Sequence, residues 1–309
     1  MTATWQIGGN YKIENIKSHG AIVDFEPGSP QNLYATLETV GGVSESRLER
    51  SEFDTYFNLN YIKNLSDNFN INILGGISYN KRETDFLNTS ITNLIISDFY
   101  ELTNTAARPE ITQNNSLRKT FGIYGQVELS YINRYFLTLT GRNDKSSTLP
   151  PNNNSYFYPS ASLSAVVIDN QSTFLKLRGS WSQVANDTDP YQTANSFING
   201  SADAGYGNIV SPLGGVGFFE ASGILGNPDL KPERTSEYEF GTEASFFKRR
   251  ITLDAALYNR STEDLIVSVP LDPSTGFLTK ALNIGDVENK GIEIALGLKP
   301  INRENFSWE

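Results

Sequence analysis

Glu237, Glu239 and Glu243, with Asp254 in the next segment, are the residues best placed to do chemistry. Paired carboxylates serve glycoside hydrolysis, one as acid and the other as base or nucleophile. The residues between them argue for another role. Tyr238, Phe240, Thr242, Ala244 and Phe246 alternate with the acids, and a strand sends successive side chains to opposite faces. The carboxylates then form a column on the wet face of a strand, pointing into a lumen, with the apolar residues behind them. His19 is the only histidine, so a His-rich metal site is excluded. The stretch 186–189 (NDTD) has the look of a calcium loop but lacks the glycine and distal glutamate, and Pro190 follows. The glycines at 205–207 and 214–217 lack the strand-to-helix setting of a phosphate loop. Tyr191, Phe197, Tyr206, Phe218 and Phe219 crowd one long loop and could stack on sugar rings, contact a partner, or pack on one another.

The same alternation positions everything else. Residues 236–247 and 251–257 read as two long strands joined by a tight turn at Lys248-Arg249. From Phe53 onward the pattern recurs: Phe53 to Tyr61, Phe69 to Tyr79, Phe121 to Tyr131, Tyr135 to Gly141, Phe157 to Val167, Leu175 to Trp181 and Ile292 to Leu298 each carry apolar residues at every second position. Turns alternate short and long. The long ones cover residues 80–117, 143–156, 184–235 and 261–289, and 12–51 reads as a polar loop with an inner hairpin near 21–25. Apolar-face aromatics gather at strand ends, with Tyr61, Phe69, Tyr131, Tyr135 and Phe246 toward the short turns and Phe53, Tyr79, Phe121, Phe157, Trp181 and Tyr238 toward the loops. Two girdles, tight turns at one end and large loops at the other describe an all-β, antiparallel transmembrane barrel. Roughly ten strands are expected, a small closed barrel or part of a larger one.

Composition agrees. No stretch approaches the ~20 apolar residues of a transmembrane helix, and 38% hydrophobic residues suffice for strands of which one face meets lipid. A net charge of −10 argues against a nucleic-acid partner. The absence of cysteine excludes disulfides, thiolate metal sites and a cysteine nucleophile. The first residues carry no signal peptide, and both ends read as cut within strands, so the chain is expected to be part of a longer protein.

Four stretches carry a resemblance. Residues 226–241 (GNPDLKPERTSEYEFG) resemble the signature before a late strand in TonB-dependent outer-membrane transporters, and 175–186 (LKLRGSWSQVAN) and 283–296 (NIGDVENKGIEIAL) follow that family's order. Residues 141–166 (GRNDKSSTLPPNNNSYFYPSASLSAV) resemble its SusC/RagA-type branch. The resemblance implies a non-enzymatic nutrient importer of the Gram-negative outer membrane, with a barrel of about 22 strands around a plug. Residues 1–309 would belong to the barrel domain, without plug or terminal strands. It further implies a SusD-like surface lipoprotein as partner, the TonB-ExbB-ExbD system acting through N-terminal regions outside this chain, outer-membrane lipid around the wall, a small oligomeric substrate (oligosaccharide or peptide) and no cofactor. An autonomous barrel (porin or enzyme) and a secreted glycan-binding sandwich are the competing classes. Closure of the sheet within the chain would favour the former and solubility without detergent the latter.

Overall fold

A computed structural model describes residues 1–23, 39–203, 208–303 and 306–308. The strands are β1 (Thr2–Val23), β2 (Thr39–Ser66), β3 (Phe69–Thr92), β4 (Glu110–Tyr131), β5 (Tyr135–Ser146), β6 (Ser155–Asp169) and β7 (Phe174–Asn186). Short strands follow in the long loop: β8 (Phe197–Asn199), β9 (Ser201–Asp203), β10 (Asn208–Val210), β11 (Phe219–Ala221) and β12 (Ile224–Leu225). Then come β13 (Glu233–Phe246), β14 (Ile251–Glu263), β15 (Ile266–Pro270), β16 (Thr279–Asn283), β17 (Val287–Leu298), β18 (Ile301–Arg303) and β19 (Phe306–Trp308). Ten of them form one sheet in the order β1-β2-β3-β4-β5-β6-β7-β13-β14-β17, the long meander that the alternation predicts. By its contacts the chain divides into two units. One holds Met1–Gln6, Thr55–Tyr79 and Lys119–Glu309, and the other Ile7–Asp54 and Asn80–Arg118.

In the first unit the tight turns are stitched to one another. The Ile132 amide donates to Asn68 O (2.6 Å), Val166 N to Arg134 O (2.8 Å), Lys248 N to Ser172 O (3.1 Å) and Lys299 N to Arg250 O (2.8 Å). Each turn also satisfies itself locally. Asn170 Oδ1 accepts from the amides of Ser172 (2.9 Å) and Thr173 (2.8 Å), the side chain standing in for a backbone partner. Phe247, Lys248 and Arg249 all have positive φ (53°, 61° and 64°), and Arg250 N closes the turn on Phe246 O at 3.0 Å. A bulge interrupts β6. Val166 pairs with Lys176 but Ile168 with Leu175, so the extra residue brings Ile168 opposite Leu175 where the simple alternation put Val167.

The second unit corrects the loop assignments. Residues 12–51 are not a polar loop: β1 runs on to Val23 and β2 begins at Thr39. Residues 24 and 25 of the expected inner hairpin lie outside the described residues. Most of 80–117 is also strand, since β3 continues to Thr92 and β4 starts at Glu110. A hydrogen-bonded ladder needs no apolar face, and polar cross-strand pairs stabilise these extensions. Tyr11 Oη donates to Glu49 (2.8 Å), Lys17 pairs with Glu45 (2.9 Å), and Arg82 Nη2 pairs with Glu52 (2.6 Å). A small core of Val43, Ile91 and Leu94, with Ile22, Tyr100 and Leu102 against it, closes this unit.

Candidate functional site

Register carries two chemically distinct faces across the first unit. Leu137, Leu163, Gly179, Phe240, Leu257 and Ile292 stand in one row across β5, β6, β7, β13, β14 and β17. The next row on that face holds Tyr135, Ala165, Leu177, Thr242, Ala255 and Ile294. Most of the large side chains in these rows are exposed, Phe240 by 64% and Ile292 by 69%. On the opposite face, Ser164, Arg178, Gly241, Ala256 and Glu293 form the intervening row.

Arg178 gathers the predicted acids. Its Nε reaches Glu239 (3.3 Å), its Nη1 Glu243 (3.2 Å) and its Nη2 Asp254 (2.9 Å). Lys176 adds a contact to Glu243 at 3.2 Å, and Glu237 pairs separately with Arg260 at 2.5 Å. The planar guanidinium can serve several carboxylates at once, and this one lies flat over Gly241, where an added Cβ would come within 2.6 Å of Nε. Every acid named from the sequence is thus matched to a cation: Glu237, Glu239 and Glu243 to one on an adjacent strand, and Asp254 to Arg178 across β13. Sequence reasoning missed Arg178, although its parity in β7, between Leu177 and Gly179, marks it for the polar face.

A second network also went unpredicted. Asp144 is buried, accepting from Arg142 Nε (2.8 Å) and from the Tyr158 hydroxyl (2.5 Å). Arg142 Nη2 donates to Ser78 Oγ (2.9 Å), and its guanidinium lies 5.2 Å from the centre of the Tyr124 ring, a cation–π contact. Tyr124 Oη in turn donates to Asn58 at 2.6 Å. Gly122 leaves the room for Arg142 and Asp144. The signal lay in the glycines on the polar parity of β3 and β4, which can be read only once the pairing is known.

The loop residues fall differently. Asp187 of the 186–189 stretch is buried and accepts from Ser146 Oγ and from Thr148 Oγ1 (2.9 Å), a structural knot. Among the described residues no cluster of acids and histidine could hold a metal. His19 instead faces Tyr100, with ring centroids 3.9 Å apart. Of the loop aromatics, Tyr191, Phe197 and Phe219 are exposed, while Phe218 packs over Gly200. Tyr206 lies outside the described residues. Phe197 and Phe219 share a face of the β8–β11 pair, whose register sets Ala221 against Phe197 and Asn199 against Phe219. In the next loop Asp272 accepts from Ser274 N (2.9 Å), and these hydrogen bonds hold its carboxyl below the ordinary carboxylate range.

The stretch 226–232 is clamped from several sides. Asn227 Nδ2 donates to Ala281 O (2.9 Å) and its amide to Gln192 O (2.9 Å), while Leu230 is completely buried. Asn283 brackets Lys231, accepting from its amide and donating to its carbonyl, both at 2.8 Å. Asn153 Nδ2 reaches the carbonyls of Asp229 (3.3 Å) and Leu230 (3.2 Å). The motif is therefore a structural latch that fixes where β13 begins, and it draws together the stretches that carried the resemblance. Residues 2–309 match the family described as TonB dependent receptor-like, beta-barrel. The chain belongs to the TonB-dependent receptor family. TonB-dependent receptor P26 of Formosa agariphila is 30% identical to it over 299 residues, 91% of this chain and 28% of that receptor. TonB-dependent receptor SusC of Bacteroides thetaiotaomicron is 30% identical over 196 residues, 60% of this chain and 19% of SusC. The RagAB peptide importer in its closed-closed state shares the fold over 98% of this chain and 32% of its own, at a TM-score of 0.77 and 19% identity. This TonB-dependent receptor chain spans less than a third of the length of these relatives.

Proposed function

We propose that this chain supplies part of the wall and surface loops of an outer-membrane nutrient importer of SusC/RagA type. The observation that carries the reading is the two-faced register of β5, β6, β7, β13, β14 and β17. Its exposed apolar rows suit lipid, and the Arg178 cluster behind them suits a water-filled interior. On this reading Glu237, Glu239, Glu243 and Asp254 face the lumen, and the apolar side chains face acyl chains. The resident partners are the TonB system, through segments outside this chain, and a SusD-like lipoprotein above the loops. The likeness to SusC and to a peptide importer supports oligosaccharides or peptides as cargo. The exposed Tyr191, Phe197 and Phe219, with Phe218 beside them, are the loop side chains offered to cargo or partner. The plug and the remaining strands belong to the rest of the protein.

Sidedness tests this. Long loops of such barrels are extracellular and tight turns periplasmic. In the full-length protein on whole cells, Gly215→Cys should react with an impermeant maleimide, and Lys248→Cys should react only after the outer membrane is broken. The reverse pattern would remove the topology and the import direction with it.

A further inference from the structure

We infer that a cleft between β1, β2, β3 and the connection that follows β3 binds a neutral carbohydrate, at a second ligand site that uses none of the loop aromatics offered to cargo above. The cleft measures about 420 Å³ and is lined by Lys17, Glu45, Arg47, Leu87, Thr89 and Leu102 among others, all in the second unit. Parity explains the lining. Glu45 and Arg47 in β2, and Leu87 and Thr89 in β3, stand two residues apart, so each pair shares a face of its strand. Leu102 comes from outside the sheet. Residues 93–109 fold back so that Tyr100 and Leu102 pack on Val43, Ile91 and Leu94, while His19 faces Tyr100 with ring centroids 3.9 Å apart and Lys17 reaches Glu101 at 3.3 Å. Buried Asn104 holds that fold from within, donating from Nδ2 to Ile96 O (2.8 Å) and Phe99 O (2.6 Å). The wall carrying Leu102 is therefore built before any ligand arrives, which spares the ordering cost of binding.

The charges on the walls choose the ligand. Lys17 pairs with Glu45 (2.9 Å) as well as with Glu101, and Arg47 pairs with Glu49. An ionic ligand of either sign meets a partner already in place and a like charge beside it. A hydroxyl donates and accepts at once, so a sugar bridges both members of an ion pair without separating them. Asn15 and Thr89 add polar side chains with no hydrogen-bond partner among the described residues. Leu87 and Leu102 supply apolar surface for the C–H face of a sugar ring. Apolar walls with a few convergent polar groups are the ordinary make-up of a small-molecule site.

The test titrates the detergent-solubilised full-length receptor by calorimetry with neutral oligosaccharides of glucose, xylose, mannose and galactose, and with oligogalacturonate as the anionic counterpart. At least one neutral oligosaccharide should bind saturably, and oligogalacturonate should bind more weakly. Glu45→Gln and Arg47→Met should each weaken the neutral ligand about tenfold, since each removes a hydrogen bond to a charged group. Leu87→Trp, which fills the cleft, should remove binding, and all these variants should keep the heat-resistant mobility of the barrel. No binding by any of the neutral oligosaccharides, or tighter binding of oligogalacturonate, would overturn the site. So would loss of binding only in variants that also lose the heat-resistant mobility. Binding that survives Leu87→Trp would overturn it too, and would place the carbohydrate on the cargo route instead. None of these outcomes bears on the barrel topology, which the maleimide labelling reads separately.

Discussion

Leu253 and Asp254 are neighbours in sequence and stand on opposite faces. Leu253 lies between Ala244 and Leu296, while Asp254 reaches Arg178 Nη2 at 2.9 Å. An arginine on a lipid-facing strand position near the bilayer midplane costs about 2–4 kcal/mol, so Leu253→Arg should destabilise the full-length barrel by that amount in a refolding titration. Asp254→Asn removes one contact of a half-exposed ion pair and should cost about 0–1 kcal/mol. Equal losses would end the assignment of faces. Asn227 offers a different test. Its side-chain amide is buried against Ala281 O, and Asn227→Ala removes that hydrogen bond and the one its Oδ1 accepts from the Asp229 amide, for about 1–3 kcal/mol. The damage should be local, read as faster proteolysis within the 187–232 loop while the barrel keeps its heat-resistant mobility.

At the scale of elements, the tight turns combine strain with order. Ile132 and Asn133 both adopt left-handed φ (47° and 52°), with Arg134 N closing on Tyr131 O at 3.0 Å. Asparagine tolerates that conformation, but a β-branched isoleucine suffers from it. Ile132→Asn should therefore stabilise the turn by about 1 kcal/mol, a gain visible as a higher urea midpoint for full-length refolding. A loss would mean that Ile132 contributes more through membrane contact than its backbone costs. The polar extensions β1 to β4 follow another logic. Their charges pair across strands, as Lys17 does with Glu45, and the ladder continues where the apolar stripe has ended.

At the largest scale, the sheet runs from β1 to β17, and among the described residues β1 is not paired to β17. The exposed Ile292, Ile294 and Leu296 of β17 sit beside that unpaired edge. An unpaired row of N–H and C=O groups is untenable in lipid, at several kcal/mol per group, and in water it recruits other strands. Expressed alone, residues 1–309 should give mixed oligomers in detergent with no steady single-channel conductance. A heat-modifiable monomer with stable conductance would show that the sheet closes on itself, and an autonomous barrel would then replace the importer reading.

Much of this receptor chain is determined by sequence alone, because strand parity is a local property. Glu237 to Phe246 declares two faces whatever surrounds it, and the spacing of such segments by tight turns and long loops already describes a meander of about ten strands. The motif at 226–241 was legible for the same reason, as an uninterrupted run. Partnership was not legible. That Arg178 serves Glu239, Glu243 and Asp254, that Asp144 is shared by Arg142 and Tyr158, and that Gly241 and Gly122 make room for those groups all depend on inter-strand register. Register is set by non-local pairing, and a single bulge at Val167 shifts it. The polar strands at residues 12–51 and 80–117 were hidden for a related reason. Alternation of apolar and polar residues betrays a strand only where apolar residues recur at every second position, and there the few that pack together, such as Ile22, Val43 and Ile91, are too widely spaced to show it, so tertiary pairing made them strands.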